Sequence, residues 1–231
     1  MFYTIGLEET EEFKKFLAMS PEQFDKHMCQ TYPDQFEQRG KPMNETCMCW
    51  GFCIGKGWYY HLDELCKKLD LIQKLTGIRV SFGQIKEKYG SGRLYNTPRY
   101  GYSTWYSVPS KHRLINRTKD ICCKVLNKLF YRMPGQKISM WVNIIDELIH
   151  NCESRMGHIC EETGKYIDEP IDTGGWVYAL SEEGFLLAHP DRKDALEEWK
   201  KYEEEKNKIN SAIADLSDEE TEELKKLLKI V

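Results

Sequence analysis

The chain of 231 residues contains no apolar run near the roughly 20 residues a membrane helix needs, which excludes a helix-spanning protein. Residues 1–16 show neither a basic n-region nor an apolar h-region, so no secretory signal is read and a soluble, cytoplasmic protein is expected. The common catalytic signatures are also missing. There is no G-x-S-x-G, no Walker A sequence, no H-E-x-x-H, and no G-x-G-x-x-G between a strand and a helix. Acidic residues are nearly absent from one long stretch. Between 79 and 137 only Glu87 and Asp120 oppose 13 basic side chains, so this block stands at +11 in a chain whose formal charge is −4.

The rest of the chain compensates. Residues 1–78 carry −3, residues 138–190 carry −8 and residues 191–231 carry −4. A block of +11 repels itself unless acidic neighbours or an anionic partner offset it. The same block is rich in aromatics: Phe82, Tyr89, Tyr95, Tyr100, Tyr102, Trp105 and Tyr106 alternate with Lys86, Lys88, Arg93, Arg99, Lys111 and Arg113. Cations attract phosphate and flat rings stack on bases, so this composition fits a nucleotide-like anion or a nucleic acid. Tyr-rich strands also pack ordinary sheets, which is the structural alternative.

Hydrophobic spacing and punctuation outline the elements. A helix is expected over 7–18. A second opens at the capping box Ser20-Pro21-Glu22-Gln23, and residues 31–49 read as loop. The strongest helix is expected at 58–75, where Leu62, Leu65, Cys66, Leu69, Ile72 and Leu75 recur at helical steps before Gly77. Ile78, Val80 and Phe82 alternate as in a strand, Gly90-Ser91-Gly92 marks a turn, and Arg93–Thr97 and Gly101–Val108 read as further strands. Helices follow at 117–132 and 138–156. Residues 157–190 read as irregular apart from a short strand, Trp176–Leu180. The tail reads as two amphipathic helices, 191–213 and 217–229, whose near-heptad spacing fits homo-oligomerisation as well as docking on the core. Together these predict an α+β fold with a small antiparallel sheet at 78–108. The organisation is a helical segment and loop at 1–49, a core at 50–190 and a helical appendage at 191–231.

The nine cysteines, an odd number, fit reduced thiols. Cys47, Cys49 and Cys53 form a C-x-C-x₃-C run that leaves metal binding open but lacks the paired C-x₂-C of common zinc sites. Cys160-Glu161-Glu162-Thr163-Gly164 has the outline of a zinc knuckle with Thr163 in place of the second thiol. Downstream, Ser181 and Gly184 stand where a second ligand pair is expected. One thiol cannot hold tetrahedral zinc, so no metal and no cofactor are expected.

Three of these segments in order resemble a group of uncharacterised bacteriophage-encoded proteins. The first is Trp50-Gly51-Phe52-Cys53-Ile54-Gly55-Lys56-Gly57-Trp58 followed by Leu65-Cys66. The second is Gln84-Ile85-Lys86-Glu87-Lys88-Tyr89-Gly90 followed by Arg93-Leu94-Tyr95. The third is the knuckle with its Gly174-Gly175-Trp176 hairpin, here without its ligands. Gly92 stands where the pattern has leucine. The resemblance spans about 50–180 and implies a viral source and an accessory protein acting in a bacterial cytoplasm, with no activity attached.

Candidate chemistry is sparse. Gly55-Lys56-Gly57 precedes the helix at 58, whose first N–H groups are an anion site in principle. His150 near Asp146 and Glu147 reads as a solvated helix face. If 84–89 is extended, Gln84, Lys86 and Lys88 share a face beside Arg93 and Tyr95. The expected ligand-binding set is Gln84, Lys86, Lys88, Arg93, Tyr95, Arg99, Tyr102 and Trp58, with no catalytic residues. The leading expectation is a protein that binds and sequesters a nucleotide-like anion without turnover, as a phage counter-defence factor. The competing readings are an inhibitor that docks on a host protein, a nucleic-acid binder acting through 79–137, and an enzyme assembled from distant residues.

Overall fold

The computed structural model describes residues 10–96, 134–214 and Ser217, with side chains from 140 onward in the second stretch. The chain opens with α1 (Glu11–Leu17), capped by Thr10, whose hydroxyl accepts from Phe13 N–H at 3.2 Å. Helix α2 (Pro21–Thr31) begins in the expected capping box: Gln23 N–H donates to Ser20 Oγ, and the Gln23 side chain accepts from Ser20 N–H. Residues 33–40 form successive turns that bury Gln35 and Phe36. Strand β1 (Phe52–Cys53) and a single 3₁₀ turn at Lys56–Trp58 lead into α3 (Tyr59–Thr76), which ends at Gly77 with φ +74°. That left-handed cap is one only glycine adopts at little cost.

Strands β2 (Phe82–Glu87) and β3 (Gly92–Asn96) form an antiparallel hairpin, and β1 lies parallel to β2 on its other side. The sheet is therefore mixed, because the β1–α3–β2 connection is a crossover that returns the chain in the same direction. Residues 78–81 were expected to start the strand but stay outside the ladder. They are held by the turn at 34–37: Arg79 reaches Asp34 and Glu37, and Phe82 N–H donates to Gln35 O. The pairing register slips between Phe82 and Gln84, where Thr46 Oγ1 donates to Gly83 O.

Helix α4 (Pro134–Met156) crosses β3 and α3. After it come the short hairpin β4 (Ile171–Asp172) and β5 (Val177–Tyr178), then α5 (Glu182–Ala188) and α6 (Lys193–Ala214). Helix α5 falls where an irregular segment was expected; Ser181 caps it by accepting from Gly184 N–H at 3.1 Å. One cluster of buried side chains joins Phe16, Phe24, Met28 and Phe36 to Trp58, Tyr59 and Leu62, to Ile85 and Leu94, to Ile145 and Met156, and to Phe185 and Leu196. Phe24 and Tyr59 stack with centroids 3.8 Å apart. The architecture is α+β. The expected strand at 101–108 and the helices at 117–132 and 217–229 lie outside the described residues, Ser217 excepted.

Candidate functional site

Alternation along β2 and β3 sorts their side chains between two faces. Ile85 and Leu94 pair across the ladder and are buried. Gln84 pairs with Tyr95 and Lys86 with Arg93, and these four are half-buried on the opposite, polar face. Cys53 of β1 lies beside Lys86 in register and extends the same face. Lys86 Nζ sits 5.5 Å from the centre of the Tyr95 ring, and Arg93 Nη1 is held at 3.1 Å from Ser91 Oγ and 3.0 Å from Gly92 O. Lys88 follows the strand in an exposed turn, with Nζ 4.9 Å from the Tyr89 ring centre. Among the described residues no carboxylate lies within 4.0 Å of Lys86, Lys88 or Arg93. Five of the eight expected residues thus stand together on or next to one face. Arg99 and Tyr102 lie outside the described residues.

Trp58 is a correction. It is wholly buried, and its Nε1 donates to Ile159 O at 2.8 Å, so it belongs to the core and offers no ring to a ligand. The glycine turn before it is a second correction. Gly55 N–H donates to Glu161 Oε1 at 2.6 Å and Gly57 N–H to Glu161 O at 2.7 Å. The acceptor at this turn is the chain's own Glu161. A Cβ on Gly57 would lie 2.2 Å from Cys160 O, so glycine is required by the close approach of two backbones.

Arg79, the first cation of the basic block, is buried between Asp34 and Glu37, each at 3.0 Å from Nη2. That part of the block is neutralised by the N-terminal segment. Several acidic residues of 138–190 pair elsewhere: Glu162 with Lys56, Glu183 with Lys165, Glu182 with Lys200, and Glu169 with Lys206.

Sequence reasoning missed the buried Asp63. Its Oδ1 accepts from Tyr32 OH at 3.0 Å and lies 3.0 Å from His27 Nε2, while Lys67 Nζ lies 3.1 Å from Oδ2. Burial, then Asp63, push the Tyr32 phenol far above its usual range. Only the helical spacing of Asp63 to Lys67 hinted at this; His27 and Tyr32 are more than 30 residues away. Among the described residues, Glu12, Asp63 and Glu64 are the group of potential metal ligands that converges within 4.8 Å, and Lys67 Nζ bonds to all three carboxylates. The cation this cluster needs is already supplied by the ammonium. Cys47, Cys49 and Cys53 do not converge; Cys49 Sγ donates to Thr46 O and Cys53 is exposed on β1. Asp146, Glu147 and His150 are exposed on α4.

Compared with protein-family models, with curated proteins and with solved structures, the chain matches none of them. No helix among the described residues is long and apolar enough to cross a membrane.

Proposed function

We propose that this protein binds a nucleotide-like anion on the polar face of β2 and β3 and holds it without turnover. The observation that carries the reading is the Lys86–Arg93 cross-strand pair, flanked by Gln84 and Tyr95, with no carboxylate oxygen within 4.0 Å of either cation among the described residues. Two cations directly opposite each other repel, and a bound phosphate removes that repulsion. Tyr95 supplies a ring on the same face for a base. The resemblance to phage accessory proteins narrows the ligand to a signalling nucleotide of host immunity, which a phage gains by sequestering. Calorimetry with mono-, di- and cyclic oligonucleotides tests this. The expected result is one saturable site, lost in Lys86→Ala and Arg93→Ala, with the ligand recovered intact by chromatography. Absence of binding across the panel overturns it, and recovery of a cleaved ligand makes the protein an enzyme.

A second reading, self-association through the C-terminal helices, is favoured by α6, where Tyr202, Ile209 and Ile213 stand exposed at heptad-like spacing. Sedimentation that finds a monomer at high concentration removes it.

A further inference from the structure

Four positions from two separate pieces of chain meet beside the glycine turn. Cys160 and Thr163 belong to a tight turn closed by Gly164, where Gly164 N–H donates to Cys160 O at 2.8 Å and Gly164 has φ +71°. Ser181 and Gly184 belong to the N-terminus of α5, brought back by the β4–β5 hairpin. Ser181 Oγ donates to Cys160 Sγ at 3.3 Å, Thr163 N–H donates to the same sulfur at 3.4 Å, and the Thr163 and Ser181 hydroxyl oxygens are 3.5 Å apart. A Cβ on Gly184 would lie 2.4 Å from Cys160 Sγ. Two residues separate 160 from 163, 17 separate 163 from 181, and two separate 181 from 184. That is the spacing of a paired-knuckle zinc site.

The donor set does not fit the ion. Zinc at about 2.3 Å from each of four thiolates sets them about 3.8 Å apart. Here one thiol faces two hydroxyls and a glycine, and Gly184 approaches the sulfur so closely that a side chain there would have to displace it. We infer that Cys160, Thr163, Ser181 and Gly184 are the four ligand positions of a tetrahedral metal site in which hydrogen bonds converging on Cys160 Sγ have replaced the ion, so that this knuckle folds without divalent metal. The replacement is chemically coherent. Burial pushes the Cys160 thiol up, but the hydrogen bonds from Ser181 and Thr163 outweigh it and hold the thiol below its ordinary value. Two donors, the Ser181 hydroxyl and the Thr163 N–H, thus converge on the sulfur in place of an ion. The rest of the knuckle stays in use as the surface on which the glycine turn docks: Gly57 N–H and Gly55 N–H both end on Glu161.

The test uses the full chain. Native mass spectrometry of the wild type is expected to find no stoichiometric zinc, and chelator is expected to leave its melting temperature unchanged. The variant T163C/S181C/G184C is expected to take one cobalt(II) per chain with tetrahedral d–d and thiolate charge-transfer bands. Zinc is expected to raise its melting temperature, and adding Cys160→Ser is expected to remove the tetrathiolate spectrum. Should the triple variant fail to fold, T163C/S181C, which leaves Gly184 in place, is expected to bind cobalt through three thiolates. One tightly held zinc in the wild type overturns the inference, as does a folded variant that takes up no cobalt.

Discussion

Gly55 N–H donates to the Glu161 carboxylate at 2.6 Å across 106 residues of sequence. This contact joins the turn before α3 to the turn after α4, and it occupies the N–H groups that the glycine turn presents. Burial pushes the Glu161 carboxyl up to about 7 against the pull of the Gly55 N–H, with Glu87 and Glu162 adding to the rise.

A folded-state value above the unfolded one means that the native protein holds the proton more tightly. Stability from Glu161 is therefore full below about pH 4.5 and is lost as pH rises towards 7. Glu161→Gln keeps an acceptor for Gly55 and removes the charge. Relative to the wild type it should gain about 3 kcal/mol between pH 4.5 and 7.5, read from urea midpoints at each pH.

His61 works in the opposite direction. It is buried against Phe13 and Tyr60 with no partner for Nδ1 among the described residues, and burial, then Arg155, lowers its pKa to about 3. The unfolded chain takes up a proton below pH 6.5 and the native one does not, so stability falls by about 1.4 kcal/mol per pH unit from there towards 3. His61→Phe should flatten that acid limb in the same urea titration.

Gly57→Ala should cost about 3 kcal/mol, because the new methyl meets Cys160 O at 2.2 Å and Gly164 N at 2.7 Å, both backbone atoms in a tight turn. Gly40→Ala is the control. Among the described residues nothing lies within 4 Å of a Cβ placed there, and its midpoint should move by less than about 0.5 kcal/mol.

Asp63→Ala should cost about 3 kcal/mol or more. It leaves the Tyr32 hydroxyl without its buried acceptor and removes the charge that Lys67 and His27 face. Tyr32→Phe removes a single hydrogen bond and should cost about half as much, so the pair of urea midpoints separates the network from the one bond.

Much of the helical framework follows from the sequence alone, because its determinants are local. Ser20 and Gln23 close a capping box within one turn, Gly77 ends α3 in the left-handed conformation that glycine adopts at least cost, and the apolar steps from Leu62 to Ile72 define a face whatever lies opposite. The cross-strand partners of Lys86 and Arg93 were also within reach, since a hairpin around Gly90 leaves few registers that bury Ile85 and Leu94. The parallel placement of β1, the occupant of the glycine turn and the partners of Asp63 were decided by tertiary structure. Each depends on groups from 31 to 106 residues apart, and no local propensity records which distant carboxylate meets a given N–H. The spacing of Thr163, Ser181 and Gly184 from Cys160 was visible in the sequence. That these positions converge on one sulfur required the hairpin and α5 to fold back onto it.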